Sequence, residues 1–425
     1  MENVSLKKEL TSILKDRISL SESTRANFAR GEDTYDPVLS QAVVFPETNE
    51  EVSRILKLCN EHKVPVVPFG TGTSLEGHVV GNKDGITLSL EKMNKVLSVN
   101  ASDFDCRVQA NVTREQLNEY LREDGVFFPI DPGANAALGG MAATSASGTM
   151  AVKYGTMKSV ITGLTVVLPN GDIIKTGGRS KKTSAGYNLT NLFIGSEGTL
   201  GVITEVTLRI LPKPETARAM LIGFNDPALA GDCVARIIGS GIIPGGMEMM
   251  DKLAISATEE FVHAGYPSNV ETLLIIELDG PAVEVSDLIT RVKNIADELE
   301  SNYLRISESE IEREKFWAGR KAAFPAIGRI TPDYYCVDGT IPRSRLPEVL
   351  TRINEMSKKY KLRVANVFHA GDGNLHPLIM YDANKSGELE QAEEFGREIL
   401  TLCVDVGGVL TGEHGVGVEK RDLME

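Results

Sequence analysis

At 425 residues the chain is too long for one comfortable core, so two or three domains are expected. Apolar residues at 42% and charged residues at 24% are ordinary values for a soluble globular protein. The net charge of −14 argues against a nucleic-acid partner, which needs a surplus of Lys and Arg, and it requires a local cationic patch if the ligand is an anion.

The opening run, MENVSLKKELTSILKDRISL, carries charges every few residues and no apolar stretch, so no secretory signal is expected there. Thr48 and Glu51 make a capping-box pattern, and Val52, Ile55, Leu56 and Cys59 recur at helical spacing, which predicts a helix over 48–62. A short strand over 64–67 then runs into the glycine loop PFGTGTSLEGH, Pro68 to His78. Next come a strand through Val108 and a helix capped by Thr113 and Gln116, with Leu117, Tyr120 and Leu121 facing inward. Residues 164–168 and 173–175 flank Asn170-Gly171, a strong hairpin signal, and 201–210 reads as a further strand. This first half is a mixed α+β unit closing near Pro212 and Pro214.

Beyond Pro214 the pattern changes. A strand over 220–223, helices over 227–239 and 251–263, a strand over 273–278, a helix over 283–300 and a strand over 302–306 predict a ferredoxin-like sheet with helices on one face. A strand over 363–368 and a long helix over 387–406 precede a last glycine-rich motif. Five cysteines, at 59, 106, 233, 336 and 403, form no CxxC pair, which points to a reduced, cytoplasmic setting. No run of about 18 apolar residues occurs, so no membrane span is expected. Peripheral attachment through a partner stays open.

The loop after residue 67 can turn backbone N–H groups onto a pyrophosphate. It is no Rossmann fingerprint, because Leu75 stands where the third Gly belongs and extended chain follows, and it is no Walker A loop. A tight structural turn is the competing reading. A second cluster, DPGANAALGGMAATSASGT (Asp131 to Thr149), is nearly all small residues, which let backbone lie against a large flat cofactor while Thr144 and Ser147 hydrogen-bond it. A linker or tight helix packing is the alternative. A third run, Gly195 to Gly201 (GSEGTLG), suits the same cradle.

Three of the six histidines fall after residue 368. His369 and His376 bracket HAGDGNLH, where a turn at Gly371 to Gly373 would let them face each other from adjacent strands. Glu413-His414 lies in a separate loop, TGEHGVG. Two imidazoles and a carboxylate suit Zn²⁺, Mn²⁺ or Fe²⁺ with positions open for substrate; satisfied loop histidines are the bland alternative.

These motifs resemble the vanillyl-alcohol oxidase superfamily, in particular the FAD-linked D-lactate dehydrogenase and glycolate oxidase D-subunit family, over essentially the whole chain. GTGTSLEGH and DPGA look closer to D-lactate dehydrogenases. MEMMDKLA, WAGRKAAFPAIGRITPDYYCVDGTIP and VANVFHAGDGNLHP look closer to the glycolate oxidase D subunit. The resemblance implies an α+β fold: a PCMH-type FAD domain of two α+β subdomains over 1–215 (about 38–214), a ferredoxin-like substrate domain with the metal site over 216–406, and the start of a further FAD-domain segment over 407–425. Members continue to an Asn-Pro-Gly-Lys segment near the flavin, so a chain stopping at Glu425 is expected to be truncated.

The resemblance further implies non-covalent FAD, since His78 is not where a covalent link would be placed. It assigns the cofactor to Pro68, Gly70, Thr71, Gly72, Thr73, Ser74, Gly77, Pro132, Gly133, Gly139, Gly140, Thr144, Ser147, Gly148, Glu197, Gly198, Ile203 and Glu413. It assigns a divalent metal to His369, His376 and Glu413, the catalytic base to His414 and the substrate carboxylate to Arg320, with Lys321 and Arg329 as alternatives. The expected reaction is oxidation of a small 2-hydroxy acid, glycolate or D-lactate, with electrons passing to a quinone, a cytochrome, or partner flavin or Fe–S subunits, in a hetero-oligomer or homodimer. A flavin subunit inactive alone and an oxygen-using alcohol or sugar oxidase are the other readings.

Overall fold

The computed structural model describes residues 4–424, so the expectation about Glu425 lies outside the described residues. The chain forms two compact units: Met1–Ser147, Gly155–Lys213 and Glu413–Glu425 in the first, Gly148–Tyr154 and Pro214–Gly412 in the second. Expected divisions at 215 and 406 compare with observed ones after 147, 154, 213 and 412, and Gly148 travels with the second unit.

The first unit holds two larger sheets and a two-stranded ribbon of Val126–Phe127 with Leu211–Pro212. In one, Ala42–Val44, Ile86–Ser89 and Val66–Phe69 are parallel, with Ile18–Ser19 antiparallel on the outer edge. The helix Asn49–Glu61 begins at Thr48, whose side chain accepts from Glu51 N–H, and it buries Val52, Ile55, Leu56 and Cys59 against this sheet. The other sheet is antiparallel, in the order Val96–Asn100, Asp105–Gln109, Val202–Arg209, Ile161–Val167, Ile173–Gly177. The helix Arg114–Leu121 starts in a full Thr113–Gln116 capping box and buries Leu117 and Leu121. Tyr120, expected inward, is 59% exposed: its position falls off the buried stripe of so short a helix.

The second unit is built on one antiparallel sheet in the order Tyr303–Ile306, Thr216–Phe224, Thr272–Gly280, Gly246–Asp251, Val364–His369, Asn374–Tyr381, Asp333–Cys336. The first four strands, taken in chain order, lie 4-1-3-2, the ferredoxin-like arrangement. Val364–His369, Asn374–Tyr381 and Asp333–Cys336 continue it in mirrored order, joined through Gly246–Asp251 and Val364–His369, where Met249 faces Phe368 and Met250 faces Val367, and Gly339–Thr340 is an eighth strand paired with Asn374–Tyr381. Thr272–Gly280 is buried on both sides, because helices cover both faces rather than the expected one. Lys252–Val262 and Glu310–Lys321 close a core with Leu221, Ile275, Val367 and Phe316. Pro227–Gly239, Ala282–Glu298, Leu346–Tyr360 and Glu388–Asp405 pack elsewhere on the strands.

Candidate functional site

In the first unit the three small-residue runs meet. Ala137 N–H donates to Thr71 Oγ1 at 3.3 Å, Gly195 N–H to the Ala142 carbonyl at 3.0 Å and Glu197 N–H to the Ala143 carbonyl at 2.9 Å. A Cβ on Gly198 would stand 3.5 Å from Pro68. Gly72 and Gly77 have φ of 74° and 76°, left-handed values that favour glycine in the Pro68–His78 loop. Thr73 and Thr71 hydroxyls lie 3.4 Å apart, and Gly133 N–H donates to Asp131 after Pro132.

The run after Asp131 contains a helix, Leu138–Thr144, and its two glycines do different work. Gly139 packs down, where a Cβ would be 2.5 Å from that of Ala110. Gly140 points away, with nothing within 4 Å of a built Cβ, and Thr144 hydrogen-bonds back to its carbonyl. Ile203 is a core side chain on Val202–Arg209, so that side chain is not available to a ligand. Ser74 Oγ, Asn111 Oδ1 and Ser196 Oγ are buried with no hydrogen-bond partner among the described residues. Unpaired buried polar atoms at the edges of such a cradle fit a polar, extended cofactor such as FAD.

The last segment of the chain adds ionisable groups to this unit. Glu413 accepts from Ser147 Oγ at 2.9 Å. His414 Nδ1 lies 3.1 Å from Glu76 Oε1, and the buried Lys420 Nζ lies 2.9 Å from the same oxygen. Glu197, itself at φ 53°, accepts from Val416 N–H at 2.7 Å and Gly417 N–H at 2.9 Å, and its carboxylate is 3.0 Å from His78 Nε2. Burial alone would raise the Glu197 carboxyl; the contacts from His78, Val416 and Gly417 outweigh it and hold the group below the usual carboxylate range.

In the second unit His369 and His376 do face each other from adjacent strands, their ring centroids 4.9 Å apart at 88°. His369 Nδ1 is 2.8 and 2.9 Å from the two oxygens of Glu248, a carboxylate with no solvent exposure. Arg320, from Glu310–Lys321, reaches the same Glu248 through Nε at 2.8 Å and Nη2 at 2.7 Å. Nearby on the sheet, buried Asp338 accepts from Asn374 Nδ2 and from Thr411 Oγ1. Gly148 begins the short crossing 148–154, which Lys153 and Tyr154 tie to Asp279. Arg329 instead lies over the Phe261 ring.

Reasoning from residues overlooked Glu76 and Glu248. Each had a visible signal, a lone acid in an otherwise small or apolar stretch (GTGTSLEGH, GMEMM), which burial makes costly unless it is paired.

The family described as FAD linked oxidases, C-terminal domain, matches residues 213–425, and the FAD binding domain family matches 40–177. The chain is 46% identical to glycolate oxidase subunit GlcD of Escherichia coli, over 90% of this chain and 77% of that protein. It is 36% identical to the mitochondrial D-lactate dehydrogenase [cytochrome] of Arabidopsis thaliana, over 98% of this chain and 74% of that one. Among solved structures it resembles an alkyldihydroxyacetonephosphate synthase, with a TM-score of 0.81 at 21% identity over 97% of this chain and 82% of the other, which bears on the fold alone.

Proposed function

Because the chain belongs to the FAD-linked oxidases, we propose that this oxidoreductase converts a small 2-hydroxy acid, of the glycolate or D-lactate type, to its 2-oxo acid. The observation that carries the reading is His414, held at Nδ1 by a buried carboxylate in the unit that contains the cofactor cradle. FAD, when bound to the Pro68–Gly77, Leu138–Ser147 and Gly195–Gly198 runs, supplies the hydride acceptor.

The rest of the chemistry falls to protein groups. Glu76, bonded also by Lys420, accepts a hydrogen bond from His414 Nδ1–H, a tautomer in which Nε2 takes the substrate hydroxyl proton. Loss of that proton together with the Cα hydride turns the hydroxyl carbon into a carbonyl. Arg320, whose Nε and Nη2 meet Glu248, presents its Nη1 edge as the anchor for the substrate carboxylate. His369 and His376 are proposed as ligands of a divalent ion, and Glu413, carried by the other unit, as a third on its motif alone. Such an ion would acidify the substrate hydroxyl. The donor set suits it, since an imidazole tied at Nδ1 to a carboxylate keeps Nε2 for a metal.

The deciding experiment mixes flavin-loaded protein anaerobically with glycolate, D-lactate and L-lactate and follows loss of the oxidised flavin band. Bleaching by a 2-hydroxy acid supports the proposal, and absence of bleaching by all of them rejects it. Bleaching without turnover of an added dye acceptor would assign the chain to a larger complex, a reading that the word subunit in its bacterial relative's name favours.

A further inference from the structure

Glu248 sits in the middle of Gly246–Asp251, opposite Ile275, on the sheet face shared with Val367, His369 and the helix that carries Arg320. A fully buried carboxylate among methionines is expensive unless every lone pair is engaged. Here Oε2 receives Arg320 Nε and Nη2 at 2.8 and 2.7 Å, and His369 Nδ1 lies across both oxygens, 2.8 Å from Oε1 and 2.9 Å from Oε2. Arginine keeps its charge in proteins, so it alone compensates the carboxylate. His369 need not be charged to join. A carboxylate accepts only, so the imidazole presents Nδ1–H to it, and Nε2 is left as the lone-pair nitrogen.

We propose that Glu248 is a positioning residue that sets the His369 tautomer and the Arg320 orientation at once, coupling metal binding to substrate-carboxylate binding through one buried acid. The inference rests on the reading of His369 as a ligand and Arg320 as an anchor. It differs from a purely structural ion pair in what it predicts: a stability role moves the melting temperature, whereas this role moves two affinities belonging to two different ligands.

The test titrates flavin-loaded wild type, Glu248→Gln and Glu248→Asp with Mn²⁺ after chelation, and measures KM for the best 2-hydroxy acid. Glu248→Gln keeps the shape and loses the charge. It should weaken Mn²⁺ by about 10- to 100-fold, the usual effect of losing the partner behind a ligating histidine, and raise KM, with the flavin spectrum unchanged. Glu248→Asp keeps the charge, serves if the Gln protein does not fold, and should fall between the two. Arg320→Lys should raise KM while leaving Mn²⁺ affinity as in wild type. Wild type that takes up no Mn²⁺ overturns the metal reading underneath. Wild type that binds Mn²⁺, with Glu248 variants that bind it equally well and keep KM, overturns the coupling alone.

Discussion

Replacing Arg320 with methionine does two separable things. It removes the proposed anchor, and it leaves Glu248 buried without its compensating charge, a loss on the order of 3–5 kcal/mol for broken buried pairs. The expected outcome is a clear fall in melting temperature together with a raised KM; a variant as stable as wild type would show that Glu248 finds another partner. His414→Ala is expected to behave differently. Substrate still binds, flavin is retained, and anaerobic flavin reduction in stopped flow slows by about 10²–10⁴-fold, the range for loss of a general base. Normal reduction by this variant would move the base elsewhere. That His369 and His376 would face each other was legible from spacing, because a glycine turn between them brings adjacent strands together. Glu76 and Glu248 were not, because their meaning lies in distant partners: Lys420 is 344 residues from Glu76, and Arg320 is 72 from Glu248.

The helix Leu138–Thr144 gives a test at the level of one element. Gly139→Val places its Cβ against Ala110 and should destabilise the protein by about 1–3 kcal/mol through overpacking. Gly140→Val meets open space, so the protein should fold as well as wild type yet purify colourless, because the face proposed for the cofactor is filled. Yellow Gly140→Val protein would show that this face does not touch flavin. Most elements were foreseeable where capping chemistry and periodicity agreed, as at Thr48, Thr113 and the Asn170-Gly171 turn. Leu346–Tyr360 escaped notice although it buries Leu346, Val349, Leu350, Ile353 and Met356. It follows a 3₁₀ turn and has no side-chain cap, so only Pro347 and Glu348 in its first turn mark its start. Helices on both faces of the large sheet were likewise hidden, since a doubly buried strand such as Thr272–Gly280 reads as one apolar run whatever covers it.

For the whole molecule, the five thiols make a simple probe. None forms a disulfide; Cys59, Cys106, Cys233 and Cys403 are buried, and burial pushes each up to about 12, so they stay protonated at pH 8. A thiol reagent at that pH should label half-buried Cys336 well ahead of the other four, and all five should react once the protein is denatured; rapid native labelling of four or five would contradict this packing. No helix among the described residues is long and apolar enough to cross a membrane.

The first unit, finally, is discontinuous: the segment that brings Val416 and Gly417 to Glu197 and Lys420 to Glu76 comes from the far end of the chain. On the ribosome, therefore, the earlier part of that unit must wait while 214–412 is made, roughly 10–40 s at translation speeds of about 5–20 residues per second. Throughout that interval Glu76 lacks His414 and Lys420, and Glu197 has His78 but not the Val416 and Gly417 N–H groups, so the nascent chain is a natural client for chaperones.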